Sequence, residues 1–313
     1  MNQTHTDMIK GVAILSVMWA HCGAGLGVPM LQFIAGIGVS LFLVCSGYGL
    51  MCSYQKNGLQ YFWRKRFLKI LIPCWFVYLI EAVVMQEHNW QEILFGTFLL
   101  WDANWYIPYI LICYVLFWSI CKITHKKEQM RLTLIISAFV IWFILDSCLW
   151  ADPAMPFLKA RQMLSFPMGM ILAINREKLA QKFEWLQETK KWHVTLGALV
   201  LLAIGCMGQV LAQTAIVEQT WYILSNTLYL VVNMLLTIGC FLLLIQCRKV
   251  LCNAMVVKLG QLSFEFFLLH FYVIYRVKNM SDILLYAIVL VIAVWLLNKG
   301  SDYLMKIGMR KSR

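Results

Sequence analysis

The sequence predicts an all-α fold: a polytopic transmembrane bundle of about ten helices with both termini cytoplasmic. Three observations carry that reading. The 313-residue chain is 61% hydrophobic and 13% charged, whereas soluble domains carry about 25% charged residues. Its mean hydropathy is +0.72, and its apolar residues form runs near the ~20 residues that a spanning helix needs. Most of its 27 basic residues fall in alternate connections between those runs, as the excess of Lys and Arg in cytoplasmic loops requires.

The predicted spans follow in order. Segment 8–26 has no small-residue cleavage pattern and is followed at once by another apolar run, so it reads as a retained helix and not a signal peptide. Segment 32–54 carries Ser46-Gly47-Tyr48-Gly49, small residues suited to close helix packing. Segment 67–85 follows the basic run Arg64-Lys65-Arg66. The stretch Ile93–Leu100 is too short to span and reads as interfacial or re-entrant. Segment 104–122 opens on an aromatic cluster, and 132–150 is uniformly apolar until Asp146. Segment 158–174 is short and contains Arg161. Asn175–Trp192 is rich in Lys and Glu with apolar residues at helical spacing, a connector lying on the membrane. Segments 192–212, 222–246, 260–276 and 281–304 complete the set. No internal repeat or soluble appendage interrupts residues 1–313, which read as one integral domain.

Orientation comes from charge. With the amino terminus inside, the inner connections collect Lys56 and Arg64–Arg66, then Lys122–Arg131, Arg176–Lys191, Arg248–Lys258 and the run from Lys306 to Arg313. The outer ones hold only Lys159, Arg161, Arg276 and Lys278. The net charge of +12 then follows from topology and anionic headgroups, and no nucleic-acid motif is present. The lipid bilayer is the expected surrounding and the plasma (inner) membrane the expected location, multi-pass. Eleven cysteines are scattered, mostly within apolar helices, with no CxxC or Cys/His spacing. Neither disulfide nor metal is expected.

Ionisable residues inside such helices cost a few kcal/mol on insertion scales and by default face protein or water. Lys10 and His21 are eleven residues apart, roughly 16 Å of rise and about 1100° of turn, so they share one face at different depths, with Asp7 on the same stripe. His270 lies at similar depth in the ninth span, and Ser263, seven residues earlier, shares its face. Arg66 and Lys69 lie at the inner level of the third span, where the positive-inside rule alone would also put basic residues. Asp102, Trp105, Tyr106 and Arg161 lie on the outer side. With Asn104, the first three form a mix of carboxylate, carboxamide and aromatics of the type that binds sugars, although the aromatics also suit an interfacial belt; Arg161, near a Pro-rich turn, is a separate acceptor candidate.

The run Asp7-Met-Ile-Lys10-Gly-Val-Ala-Ile-Leu…His21 resembles the first helix of the membrane-bound acyltransferase family 3, the sugar O-acyltransferases. Gly38-Val-Ser-Leu-Phe42…Ser46-Gly47-Tyr48 and Phe62-Trp-Arg64-Lys-Arg66-Phe-Leu-Lys69…Pro73 are similar to its next two segments. Asn104-Trp105-Tyr106-Ile107-Pro108, Arg161…Phe166-Pro167-Met-Gly169 and Leu259-Gly260…Ser263…His270 extend the resemblance over about residues 7–300. One departure is Lys10, where the family commonly has arginine. Lysine keeps the charge and loses the bidentate fork.

The resemblance implies transfer of an acyl group, most simply acetyl from cytosolic acetyl-CoA, to a hydroxyl of a surface polysaccharide or lipid-linked sugar. An alcohol is a weak nucleophile near neutral pH and needs a base, a role that suits histidine. His21 is the expected base, with an acyl-histidine relay as the alternative, and His270 would orient the acceptor or stabilise the oxyanion. Lys10, Arg66 and Lys69 are the expected contacts to the CoA phosphates. Asp102, Trp105, Tyr106, Arg161 and Ser263 are the candidates on the acceptor side. The rival reading is a secondary transporter with the buried His and Lys as a proton or anion relay. A third is a non-catalytic membrane partner that keeps the fold.

Overall fold

A computed structural model describes residues 1–26, 32–84, 91, 105–125, 127–148, 160–189, 191–214, 222–274, 277 and 279–310. Among these the chain is helical with no strand. This is the outcome expected in a bilayer, where a helix satisfies its backbone groups without a neighbour. In chain order the helices are α1 (Gln3–Gly25), α2 (Gln32–Asn57), α3 (Phe62–Val84), α4 (Tyr106–Thr124) and α5 (Glu128–Cys148). A 3₁₀ turn at Ala160–Gln162 precedes α6 (Ser165–Ile174), α7 (Arg176–Thr189), α8 (Lys191–Ala212) and α9 (Tyr222–Gln246). The chain closes with α10 (Arg248–Leu251), α11 (Ala254–Gln261), α12 (Ser263–Ile274) and α13 (Met280–Arg310).

Among the described residues seven helices are long and apolar enough to cross a membrane, and the α11–α12 pair, bent by 80°, makes an eighth candidate. Three predicted spans therefore differ: α1, which covers segment 8–26, falls outside the seven, and 158–174 and 260–276 differ in form. Segment 158–174 resolves into the 3₁₀ turn and the ten-residue α6, about 15 Å of helix and so too short to span alone. Segment 260–276 starts within α11 and turns at Leu262 before α12. The stretch Ile93–Leu100 lies outside the described residues. Gln3 near the start of α1 and Asp302 in α13 line one cavity, so the first and last helices open at the same end of the bundle.

Local chemistry sets several boundaries. Gly58, at φ +58°, ends α2 in the left-handed region, and its N–H donates to the Tyr54 carbonyl at 2.8 Å, the αL form of helix termination. Asn253 caps α11 by accepting from the Val256 N–H at 3.0 Å, a standard N-cap bond. Pro73 inside α3 cannot donate to the Lys69 carbonyl one turn earlier.

The centre is α2, mostly buried, whereas α8 and α13 are mostly exposed apolar surface. Two contacts fix that centre by backbone approach. A Cβ added at Gly47 in α2 would meet the Phe166 carbonyl oxygen at 2.2 Å, and one at Gly169 in α6 would meet the Val44 oxygen at 2.1 Å. The α1–α11 crossing is built likewise: a Cβ at Gly260 would lie 1.7 Å from the Asp7 oxygen and one at Gly11 2.1 Å from the Val256 oxygen. Small residues at helix interfaces permit this approach without lipid-driven association. The packing role expected of Gly47 is present, while Gly49 faces open space. Gly169→Val should lower stability in detergent by about 1–3 kcal/mol or more, because the obstructing atom is backbone and the helices must separate. Gly49→Ala is the control, and thermal unfolding of the two variants should separate them; equal melting temperatures would contradict the packing argument.

Candidate active site

Two histidines meet near the far ends of α1 and α12 from the cavity mouth. His270 is fully buried. Its Nδ1 lies 2.7 Å from the Phe267 carbonyl oxygen and 3.2 Å from that of Phe266, and its Nε2 lies 3.2 Å from Nδ1 of His21. A carbonyl oxygen only accepts, so Nδ1 of His270 carries the proton, and in the neutral ring Nε2 is then the acceptor. His21 must donate from Nδ1 to that atom. This leaves His21 Nε2 with its lone pair free of the pair contact. The tautomer thus follows from the hydrogen-bond pattern, the usual way in which one ring nitrogen's partner sets the other's role. Phe271 closes over both rings, at 4.5 Å from His21 and 4.2 Å from His270 between centroids. His21 itself is only partly buried.

At the other end a cavity of about 570 Å³ opens between α1, α3, α4, α12 and α13. A second lobe of about 660 Å³ adjoins it and shares Gln3, Lys10, Ser46, Arg66, Lys69 and Tyr114 with the first. The three predicted cations therefore stand where the lobes meet, brought together from α1 and α3. Arg64 lines neither lobe.

The charge balance in the cavity is uneven. Lys10 faces Asp7 at 3.9 Å, and Asp7 also accepts from the Gln3 amide at 3.0 Å. Among the described residues neither Arg66 nor Lys69 has a carboxylate within ion-pair distance. The Arg66 guanidinium lies 5.9 Å from the ring centroids of both Phe62 and Tyr114, and its Nε is buried without a hydrogen-bond partner. A buried donor left unsatisfied costs about 1–3 kcal/mol, and a bound anion would relieve it. The donor set of Arg66, Lys69 and Lys10 carries the charge and the N–H groups that fit a polyphosphate.

The deep end of the first lobe is Tyr106 and Phe267, whose rings lie 4.8 Å apart. Ser46 and Tyr114 line both lobes, and Tyr106 lines the first. Because the Phe267 carbonyl holds His270, the cavity floor and the histidine pair share a residue. The opposite wall is carboxylate and carboxamide: Glu265, Asn298, Ser301 and Asp302. The Asn298 amide donates to Glu265 Oε1 at 3.2 Å.

The remaining candidates are distributed differently. Tyr106 is buried in the cavity floor and not on an outer rim. Trp105 packs on Tyr106 and Tyr109 at 6.1 and 6.0 Å. Ser263 lines the cavity mouth with Gly260 and Gln261. Arg161 sits apart: its guanidinium occupies the space left by Gly36, and its carbonyl accepts from Asn233, which also donates to Ser40. Asp102 lies outside the described residues. Sequence reasoning did not single out Ser46, Tyr114, Asn298 or Ser301 as lining residues. Asn298, Ser301 and Asp302, three and four apart, do mark one polar face near the end of an otherwise apolar helix.

The helical membrane bundle thus holds a cavity lined by Lys10, Arg66 and Lys69 together with Asp7, Glu265 and Asp302, and its floor residue Phe267 lies one turn from the histidine pair. A family model described as an acyltransferase domain matches residues 6–297, and the chain belongs to the acyltransferase 3 family. Neither the curated proteins nor the solved structures yield a match to it. The protein is accordingly a membrane acyltransferase.

Proposed function

We propose that this acyltransferase moves acetyl from acetyl-CoA to a hydroxyl of a surface polysaccharide or lipid-linked sugar, in the plasma (inner) membrane. The observation that carries the reading is the trio Lys10, Arg66 and Lys69, with the Arg66 Nε buried and without a partner, in a cavity that ends at Phe267, one turn from His270. The end of the bundle holding the termini collects the basic connections, so on the positive-inside rule it faces the cytosol, where acetyl-CoA is made. Ten crossings in alternation, made up of the seven long helices, the bent pair, α1 and the short segment that joins the 3₁₀ turn to α6, would return both termini to that side.

Lys10, Arg66 and Lys69 would hold the donor's phosphates, and its thioester supplies an activated acyl group. His21 Nε2 would take the hydroxyl proton as the oxygen attacks the acyl carbon, and would return that proton to the leaving sulfur. The positive charge on His21 between those events is stabilised by its Nδ1–H bond to His270 Nε2. His270 is then a positioning residue, and the Phe267 carbonyl fixes its own tautomer. Arg161 and Trp105 remain the candidates for holding the acceptor, with Asp102. Ser263 and Tyr106, which line the cavity, sit better on the donor side. Family membership favours transfer over the transporter reading.

Labelled acetyl-CoA supplied to membranes containing the protein should yield labelled glycan. Arg66→Gln should raise the KM for acetyl-CoA about tenfold or more with kcat little changed, since a hydrogen bond to a charged group contributes about 1.5–3 kcal/mol. A lowered kcat at unchanged KM would remove Arg66 from donor binding.

A further inference from the structure

We infer that the α13 wall of the cavity, Ser301 with Asn298, binds the neutral amide-bearing arm of the thioester donor, while Lys10, Arg66 and Lys69 bind its phosphates. This rests on the acetyl-CoA reading above and divides that same site into two halves. The first observation is Ser301. It is 1% exposed, borders the cavity, and its hydroxyl oxygen has no hydrogen-bond partner. A helical serine commonly bonds back to its own preceding turn, as Thr237 does here to Asn233 at 2.7 Å. Ser301 does not, and a buried hydroxyl without a partner is the mark of a group that a ligand satisfies.

The second observation is the chemistry of its neighbours. Asn298 gives its amide hydrogens to Glu265, which leaves its carbonyl oxygen as an acceptor. Glu265 and Asp302 line the same wall. Carboxylates repel phosphate, so the donor's phosphates favour Lys10, Arg66 and Lys69 over this wall. It offers instead one hydroxyl that both donates and accepts, and several acceptors. A secondary amide carries one donor and one acceptor, and the pantetheine arm of CoA has two such amides. The nucleotide half carries the phosphates and the base.

The third observation is direction. The basic trio stands at the junction of the two lobes, and only the first lobe holds both the Asn298–Ser301 wall and the Phe267 floor. An arm that leaves phosphates at the trio and runs toward the histidines has to pass this wall. The second lobe, with Tyr48, Cys52 and Arg176, is left for the nucleoside.

Two probes separate the halves: CoA, which has the arm, and adenosine 3′,5′-bisphosphate, which lacks it. Binding of each to the protein in nanodiscs is measured by calorimetry for wild type, Ser301→Ala, Ser301→Val and Arg66→Gln. Losing one hydrogen bond corresponds to about a 3- to 10-fold weakening. Ser301→Ala should weaken CoA by that factor and Ser301→Val by more, with the bisphosphate unchanged within about twofold. Arg66→Gln should weaken both probes. Wild type that binds neither probe would overturn the acetyl-CoA reading itself. Wild type that binds CoA, with both Ser301 variants binding it equally well or losing both probes in parallel, would overturn the assignment of the arm to this wall while leaving the donor site intact.

Discussion

His21→Ala is expected to lower acyl transfer by about 10²- to 10⁴-fold, the range typical for loss of a general base, with acetyl-CoA binding retained. The prediction follows from where the two functions lie. The cations that would bind the donor are carried by α1 and α3 at the cavity, and His21 is eleven residues beyond Lys10 along a continuous helix, about 16 Å further from the mouth. His21 lines neither lobe of the cavity. A variant that loses turnover and donor affinity together would mean that the histidine serves binding or folding. Turnover that survives would remove it from the chemistry, and the base would have to be sought elsewhere.

The second large effect is at His270. His270→Leu removes the acceptor for His21 Nδ1–H and frees the His21 ring to change tautomer or swing. Misplacing a reacting group by about 1 Å can cost about 10²-fold, so a loss of that order in kcat is expected at unchanged KM for the donor. His270→Gln supplies a carbonyl oxygen that can still accept from His21, and should recover at least part of that loss. A purely structural role would give the opposite ranking or none: leucine would fill the buried space as well as glutamine, and the two variants would be equally stable and equally active. Equal activity of the two variants would therefore contradict the positioning role.

Much of this arrangement is legible in the sequence because the bilayer imposes a length and a sidedness. The predicted 32–54, 192–212 and 222–246 correspond to helices Gln32–Asn57, Lys191–Ala212 and Tyr222–Gln246. Arg66 and Lys69 line the cavity and Arg64 does not. The helical repeat explains this: Arg66 and Lys69 are three apart and share a face, which the interval from Arg64 to Lys69 does not allow.

What was not legible depends on contacts between distant segments. Both histidines were candidates from their depth, but a bond between residues 249 apart in sequence has no local signal. The 80° break between α11 and α12 lies in an apolar run that reads as continuous. Tyr106 looks like an interfacial aromatic because it begins a helix, yet it is buried and its ring turns inward to Phe267. Ser301 is legible only in part: with Asn298 and Asp302 it marks a polar face near the end of a long apolar helix, and only the cavity beside it reveals what that face lines.

The central claim is that one chain holds an acetyl-CoA site and a separate histidine pair that does the chemistry. The most direct measurement is saturable binding of acetyl-CoA to purified protein in nanodiscs, with free CoA as competitor, for wild type, Lys10→Ala and His21→Ala. It needs no knowledge of the acceptor. The expected result is CoA-competed binding that weakens with Lys10→Ala and persists in His21→Ala. Folded wild-type protein that binds no acetyl-CoA would contradict the donor assignment and turn the search to a different acyl donor.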